Sequence, residues 1–303
     1  MKNLLLSIIL SFFTVSAMAK ETVTIVYAWG PGDSVANYSR TLAAETNKIQ
    51  NKYTFIFDTK PGAGGAIASN HVLNSPNTIL AHSTAFFVRP VVYPNESYDL
   101  TQFKDLKTQC MAPMAVTSSK YKSWKEVPTD TPITVGISGL GVTTHLAALQ
   151  LQEKYKNINI IPFKATSESL VSMVSGQTDL HVGFISEAET YVKSKVNGRN
   201  VTVLGITGNK VVNGYPTLVS EGFPKVFAQM DVGFHLVVPA NLDEAKTKEL
   251  NDILTRAGKT KSVRDAYGID YCSPLETPYS ELPKFYNFHT NHWRKLSSGV
   301  SVK

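Results

Sequence analysis

Several features are missing from the 303-residue sequence, and each absence excludes a class of protein. The 30 basic and 24 acidic residues are scattered, with no block of five like charges, which argues against nucleic-acid binding. Beyond the N-terminus no apolar run is long enough for a transmembrane helix. What is present is an apolar fraction of 43%, which supports folded cores and argues against disorder.

Signature motifs of nucleotide-binding and hydrolytic enzymes are incomplete. A dinucleotide-binding fingerprint that starts at Gly62 would require glycine in place of Ile67, and the Gly-Lys-Ser/Thr of a phosphate-binding P-loop is missing. A nucleophile elbow over residues 136–140 would require glycine in place of Leu140. Because no nucleophile can be assigned a base, we expect no catalytic residue, no cofactor and a protein that is not an enzyme.

Histidines give no clear metal site. His289 and His292 stand three residues apart on a predicted helix, a spacing that would let both contact one metal ion. A third ligand is missing from the pattern, so we expect surface histidines and no metal. His145, at the start of another predicted helix, could donate to a ligand, cap the helix or pack, and the sequence leaves these roles open.

The N-terminus has the parts of a secretory signal peptide. Lys2 supplies a positive charge, residues 4–15 are apolar, and Ala17-Met18-Ala19 is a cleavage motif. The alternative, a membrane anchor, is disfavoured because the apolar region is too short to span a bilayer. The residue directly after the motif is Lys20 and not cysteine, which disfavours a lipoprotein. We therefore expect residues 1–19 to be removed after Ala19 and the rest to be soluble and exported.

Cys110 and Cys272 are the two cysteines of the chain. In an oxidising compartment such a pair can form a disulfide, which would close a very long loop. In the chain-entropy description this loop would stabilise the fold by about 4 to 5 kcal/mol. The sequence does not show whether the two Cα atoms come close enough, so the pairing stays open at this point.

Strand and helix patterns alternate along the chain. The predicted strands cover residues 22–29, 53–58, 77–82, 132–138, 158–163, 179–184, 200–207 and 233–239. The predicted helices cover 34–50, a stretch ending at 73, a stretch ending at about 156, and then 167–175, 187–196, 242–258, 263–267 and 279–296. Residues 103–116 look irregular, and we place the first crossover between two lobes there. The alternation predicts an α/β fold with mainly parallel sheets flanked by helices.

Ligands of such sheets bind beyond the carboxyl ends of the strands, at helix N-termini. Small residues in the preceding turn let a carboxylate or phosphate reach backbone N–H groups. The stretches that fit this design are 30–33, 63–67, 138–144 and 163–166. Turn formation alone explains any single one, but four of them favour an anion site. The formal charge of +6 suits an anionic ligand, and equally suits simple solubility.

The stretch TKPGAGGAIA at residues 59–68 resembles the PGAGG signature of Bug-type solute-binding proteins, the periplasmic receptors of tripartite tricarboxylate transporters. Other segments are similar to this family in the same order along nearly the whole mature chain. They are the first loop at 30–32, the GSxG…SxHLA-like segment at 138–147, the PYKG-like turn at 162–164, SGQTDL at 175–180, LGITG at 204–208 and YPT at 215–217.

This resemblance implies a Venus-flytrap fold, in which two lobes joined by a hinge close over a small acid that is often dicarboxylic or aromatic. Lobe 1 would comprise residues 20–110 and 231–303, and lobe 2 residues 111–230. The implied protein is a periplasmic monomer that captures an organic acid and delivers it to the membrane permease of a tripartite tricarboxylate transporter. No nucleic acid and no cofactor is expected.

In the family, backbone amides, hydroxyls and ordered waters at helix starts hold the ligand carboxylate. Carried over to this sequence, lobe 1 would supply Gly32, Ala63, Gly64, Gly65, Ala66, Ser83 and Thr84. Lobe 2 would supply Ser138, Thr143, Thr144 and Phe163.

The sequence also departs from the family pattern. Asp33 replaces the second glycine of the usual PGG loop, and Ala36 stands where the family has an aspartate. GFISEA at 183–188 replaces a more polar segment, and Trp29 adds a large ring beside the first loop. Asp33 could cap the helix or face the cleft, where it would repel a ligand carboxylate or attract an ammonium or hydroxyl group. Trp29 could stack on an aromatic ligand.

Two alternatives from other classes use the same fold. A periplasmic sensor would present the bound solute to a histidine-kinase ectodomain, and neighbouring genes would separate it from a transport receptor. A flytrap-fold transferase or hydrolase would need a catalytic group in the cleft, which the sequence does not predict.

Overall fold

The computed structural model describes residues 20–93, 95–193, 200–266, 272–274 and 276–300. The predicted signal peptide, residues 1–19, lies outside these ranges. None of the helices in the described ranges is long and apolar enough to cross a membrane.

Two β-sheets organise the chain, and their strands are numbered β1 to β11 in chain order. The first sheet has the strand order β11-β4-β10-β3-β1-β2. Its strands are β1 (Glu21–Tyr27), β2 (Tyr53–Thr59), β3 (Thr78–Ser83), β4 (Phe103–Ala112), β10 (Val232–Pro239) and β11 (Ser273–Pro274). The second sheet has the order β7-β6-β8-β5-β9. Its strands are β5 (Met114–Ser118), β6 (Ile133–Ile137), β7 (Ile158–Pro162), β8 (Leu180–Phe184) and β9 (Thr202–Ile206).

Both sheets are mixed, although the sequence predicts mainly parallel pairing. β1 is parallel to β2 and β3, and β6 is parallel to β7 and β8. In each sheet, the strand that arrives from the other sheet runs antiparallel to both of its neighbours: β10 in the first, and β5 in the second. Strands β3 and β10 are buried along nearly their whole length, which explains why they read as continuous apolar runs.

The chain passes between the sheets at two places. The first passage lies within residues 103–116, where the sequence places the first crossover between the lobes, but the predicted irregular conformation is wrong, because these residues form β4 and β5 with only Pro113 between them. The return runs from the end of β9 to the start of β10. The backbone N–H of Met114 donates to Thr207 Oγ1 at 2.8 Å, and the Thr207 N–H donates to the Met114 carbonyl at 2.8 Å. The lobe boundaries at 110/111 and 230/231 stay predictions, and the first of them falls inside β4, which ends at Ala112.

The helices cover the faces of the sheets. They are α1 (Ser34–Ile49), α2 (Ala66–Leu73), α3 (Ala85–Val92), α4 (Thr143–Lys154), α5 (Thr166–Ser175), α6 (Ile185–Lys193), α7 (Glu244–Gly258), α8 (Lys261–Ala266) and α9 (Leu282–Ser297). The sequence patterns assign no helix to the residues of α3, which carries Pro90, a helix-breaking residue, in its last turn. Its burial against α9 and β3 outweighs that signal.

A disulfide joins the C-terminal region to the edge of the first sheet. Cys110 on β4 and Cys272, just before β11, are bonded, and their Cα atoms lie 5.5 Å apart. Strand β11 pairs antiparallel with β4 next to this bond.

Candidate functional site

Strands β1 and β3 are parallel neighbours in the first sheet, and a buried polar side chain follows the carboxyl end of each. Trp29 follows β1, and its side chain is only 5% exposed. Thr84 follows β3 and is fully buried. Neither the indole N–H of Trp29 nor the hydroxyl of Thr84 has a hydrogen-bond partner among the residues that the structure describes. Because buried polar groups are nearly always hydrogen-bonded, both are candidate ligand contacts.

The Trp29 ring is held by its own lobe. Its centroid lies 5.7 Å from that of Tyr27. A Cβ atom on Gly65 would lie 3.6 Å from the far edge of the indole, so the glycine makes room for the ring. Since the ring is packed in this way, its unpartnered N–H group, and not its face, is the candidate ligand contact. Ser83, beside Thr84, accepts a long bond of 3.4 Å from the Ala85 N–H.

The glycine-rich turn before α2 adopts left-handed backbone conformations. Gly62, Ala63, Gly64 and Gly65 have φ angles of 128°, 45°, 56° and 99°. Glycine populates this region without steric penalty, which explains the composition of the turn. Ala63 is exposed, whereas Ala66 is buried at the start of α2.

The open face of Gly64 is covered by an arginine that sequence reasoning missed. A Cβ atom on Gly64 would lie 2.4 Å from Nη1 of Arg89 on α3. Arg89 forms a buried ion pair with Glu96 at 2.6 Å and stacks over the Tyr93 ring at 4.2 Å. Its Nη1 also donates to the Leu140 carbonyl at 3.4 Å, across the cleft. The available signal was a lone arginine within the apolar run AFFVRPVV.

In the second lobe, hydroxyl groups order the turn between β6 and α4. The Ser138 N–H donates to Thr144 Oγ1 at 3.1 Å, and the two hydroxyls lie 2.9 Å apart. The Gly141 N–H donates to His145 Nδ1 at 3.2 Å, so this histidine braces its own turn. Thr143 is buried at the first position of α4.

Phe163 closes the same edge of the second sheet. It is half-buried, and its N–H donates to the Ile137 carbonyl at 2.8 Å. Its ring lies against Gly136, where a Cβ atom would come within 3.2 Å. The residue thus stands at the carboxyl ends of β6 and β7, where the sequence places it.

Asp33 bonds across the cleft. Its Oδ1 accepts hydrogen bonds from the Ser167 hydroxyl at 2.8 Å and the Ser167 N–H at 3.4 Å. Its Oδ2 accepts one from the Tyr27 hydroxyl at 3.2 Å. The suggestion that Asp33 caps its own helix is wrong, since its side chain makes no capping bond to α1. Burial raises the pKa of Asp33, against the opposing effect of these hydrogen bonds. Sequence reasoning missed Ser167, whose signal is a hydroxyl in the first turn of a predicted helix.

Further contacts join the two lobes. The bare Cα of Gly30 faces Ala165, because a Cβ atom there would lie 3.2 Å from that of Ala165. Gly32 is exposed and faces Ser167 at 3.7 Å by the same measure. Phe184, in the GFISEA segment, packs edge-on against Phe234 at 5.0 Å between ring centroids.

The histidine pair on α9 does not behave as predicted. His289 is only 2% exposed and packs against Phe285 and Phe87, so the surface interpretation is wrong for it. His292 bonds to the Gln229 carbonyl at 2.8 Å through Nε2. Within the described ranges no group of three His, Cys, Asp or Glu side chains could hold a metal ion.

Residues 39–296 match the family described as tripartite tricarboxylate transporter family receptor. Among solved structures, the periplasmic binding protein BugD has a TM-score of 0.81 and 21% identity over 92% of this chain and 97% of that chain. A protein from R. palustris, solved with adipate, has a TM-score of 0.81 and 18% identity over 93% and 99%.

MatC from Rhodopseudomonas palustris, solved with bound malate, has a TM-score of 0.77 and 19% identity over 92% of this chain and 99% of that chain. No curated protein matches the sequence. The structural similarities confirm the predicted two-lobed α/β fold of periplasmic binding proteins.

Proposed function

Because the chain belongs to the family of tripartite tricarboxylate transporter receptors, we propose that it captures a small organic acid between its lobes in the periplasm. The closed, liganded form would then be delivered to the membrane permease of such a transporter. A ligand contacts both lobes only in the closed form, so its binding stabilises that form over the open one. The permease can therefore recognise the liganded protein by its closed conformation. The protein is a receptor and not an enzyme in this proposal.

The observation that carries the proposal is the pair of buried donors at the carboxyl ends of β1 and β3. Trp29 Nε1 and Thr84 Oγ1 are out of reach of water, and both lack a partner in the described part of the chain. A carboxylate has only acceptor atoms and would satisfy both groups.

The remaining predicted site residues support the same location. The turns before α4 and α5 bring Ser138, Thr143, Thr144 and Phe163 to the carboxyl ends of β6 and β7. Cross-cleft contacts from Asp33 and Arg89 bring this edge against the first lobe. Ligand contact by each of these residues is part of the proposal.

A thermal-shift screen of the mature protein tests the proposal with mono-, di- and tricarboxylates, amino acids and aromatic acids. A ligand at about 100 times its dissociation constant stabilises the protein by about 2.7 kcal/mol, which gives a measurable shift of the midpoint. We expect at least one organic acid to raise the midpoint in a saturable way. A screen in which no acid does so would contradict carboxylate binding.

Calorimetric titration with the best acid then tests the site. Thr84→Val removes one charge-assisted hydrogen bond and should weaken binding about tenfold or more. Thr178→Val is the matched control. The Thr178 hydroxyl is also buried without a described partner, but it lies before the amino end of β8, away from the carboxyl ends of the strands where the site is proposed. Equal affinities for the two variants would argue against the Thr84 contact.

A further inference from the structure

We propose that the side chain of Asp33 is an internal carboxylate that occupies the N-terminus of α5, so that the cleft selects acids with one carboxylate over dicarboxylates. This inference rests on the proposed function, because it specifies the class of acid that the same cleft accepts. It makes Asp33 a specificity-determining residue.

The first step is the capping of α5. Its N-cap residue is Ala165, which has no polar side chain and makes no capping bond. The helix therefore begins with N–H donors that its N-cap side chain does not satisfy. Asp33 supplies the missing acceptor from the other lobe, through the 2.8 Å bond from Ser167 Oγ and the 3.4 Å bond from Ser167 N. A residue 134 positions away thus does what an N-cap aspartate does locally.

The second step is the use of the remaining acceptor. Asp33 Oδ2 is bonded to the Tyr27 hydroxyl, so both carboxylate oxygens are engaged by protein donors. The side chain is 1% exposed. Three of the roughly four lone-pair sites of the carboxylate are therefore taken, and burial leaves a ligand ammonium little access to the rest. This geometry favours exclusion of an anion over capture of a cation.

The third step is the space around the contact. Gly30 and Gly32 lie against Ala165 and Ser167. The loop before α1 is therefore in contact with the start of α5. A ligand carboxylate cannot use the same Ser167 donors while Asp33 holds them. The nearby Glu168 adds a second negative charge at the start of α5. Like charges in a buried site disfavour each other, so a second ligand carboxylate is opposed here both sterically and electrostatically.

Two pairs of acids that differ in one carboxylate test the proposal. Adipate is compared with hexanoate, and malate with 3-hydroxybutyrate, by calorimetric titration of the wild-type protein and of Asp33→Gly. We expect the wild type to favour the monocarboxylate of each pair. In Asp33→Gly, the affinity for the dicarboxylate relative to its monocarboxylate partner should rise at least tenfold. An unchanged ratio would overturn the proposal.

Two further variants separate charge from site occupancy. Asp33→Asn keeps the shape of the side chain and one acceptor for Ser167, but removes the charge. Its affinity for the dicarboxylate, relative to the monocarboxylate, should therefore rise less than in Asp33→Gly. The double variant Asp33→Gly/Ser167→Ala also removes the donor hydroxyl. It should lose most of the rise in relative dicarboxylate affinity that Asp33→Gly shows. If the double variant keeps the whole gain, the dicarboxylate is not bound at Ser167, and the proposal fails.

Hydrogen exchange distinguishes this inference from the proposed function. Without any ligand, the Ser167 amide should exchange at least tenfold faster in Asp33→Gly than in the wild type, and added acetate should restore protection. This result would support the internal carboxylate even if no acid from the screen bound the wild-type protein. Equal exchange of this amide in the two proteins would overturn it.

Discussion

Gly64 lies directly against the guanidinium group of Arg89, so that a Cβ atom on the glycine would stand 2.4 Å from Nη1. The glycine-rich turn therefore makes room for a side chain of its own lobe as well as offering backbone donors. Arg89 in turn bonds to Glu96 within the lobe and to the Leu140 carbonyl across the cleft. The turn that carries the family signature is thus coupled through one arginine to the opposite lobe.

Substitution of Gly64 by alanine should destabilise the protein by about 2 to 3 kcal/mol, because it combines the strain of a φ angle of 56° with a clash against Arg89. Gly214→Ala is the matched control: φ is 81° there, and nothing lies within 4 Å of the added Cβ. It should show the backbone strain alone, about 1 kcal/mol. Urea unfolding of both variants measures the difference, and equal losses would show that Arg89 yields freely.

Replacement of Arg89 by methionine should cost about 3 to 5 kcal/mol of unfolding free energy. The side chains of Arg89 and Glu96 are 9% and 6% exposed, so the variant leaves a buried carboxylate without its partner. The double variant Arg89→Met/Glu96→Gln removes both charges and should recover at least half of the loss. A double variant as unstable as Arg89→Met would show that the guanidinium acts through packing or the Leu140 bond.

The pH dependence of stability should change when Asp105 on β4 becomes asparagine. Burial raises the pKa of Asp105 from 3.8 to about 7, against the opposing bond from Thr108. The native state therefore keeps the proton up to about pH 7, whereas the unfolded chain releases it near pH 4. The stabilisation from this group is complete below pH 4 and falls as the pH rises through 7, by about 4 kcal/mol. Urea unfolding measures the free energy of unfolding of both proteins between pH 4 and 8. As the pH rises, the wild type should lose up to this amount of stability relative to Asp105→Asn.

His235, whose Nδ1 lies 3.8 Å from Asp105 Oδ1, provides the opposite test. Burial lowers its pKa from 6.5 to about 3, so its contribution is complete above pH 6.5 and is lost as the pH falls toward 3. In a plot of the free energy of unfolding against pH, His235→Asn should reduce the loss of stability below pH 6.5. Asp105→Asn should reduce the loss between pH 4 and 7. Parallel profiles for the wild type and Asp105→Asn would contradict the raised pKa.

Removal of the Cys110–Cys272 disulfide should lower stability by about 2 to 5 kcal/mol. The cross-link spans 162 residues, and the chain-entropy description gives about 5 kcal/mol as its upper value. Cys110→Ala/Cys272→Ala measures the loss in guanidinium unfolding. Reductant should destabilise the wild type and leave the double variant unchanged, and an equal response of both proteins would argue against the bond in solution.

The regular part of the fold could be predicted because period-2 and period-3.6 apolar patterns report local structure. Helix α1 and strand β10 were placed to within a residue or two for this reason. Helix α3 could not be predicted, since the burial that stabilises it despite Pro90 depends on the distant helix α9. The same limit applies to the site: Asp33 was singled out, but its partner Ser167 lies 134 residues away and only the assembled lobes bring them together.

A crystal structure of the protein with the best acid from the screen tests the central claim most directly. We predict a ligand carboxylate within about 3.2 Å of Trp29 Nε1 or Thr84 Oγ1, with contacts to the turns before α4 and α5 from the opposite lobe. The opposite end of the first sheet carries a cavity of about 390 Å³ lined by residues that include Ser75, Asn77 and Lys246. An acid bound there, with Trp29 and Thr84 still lacking partners, would contradict the account.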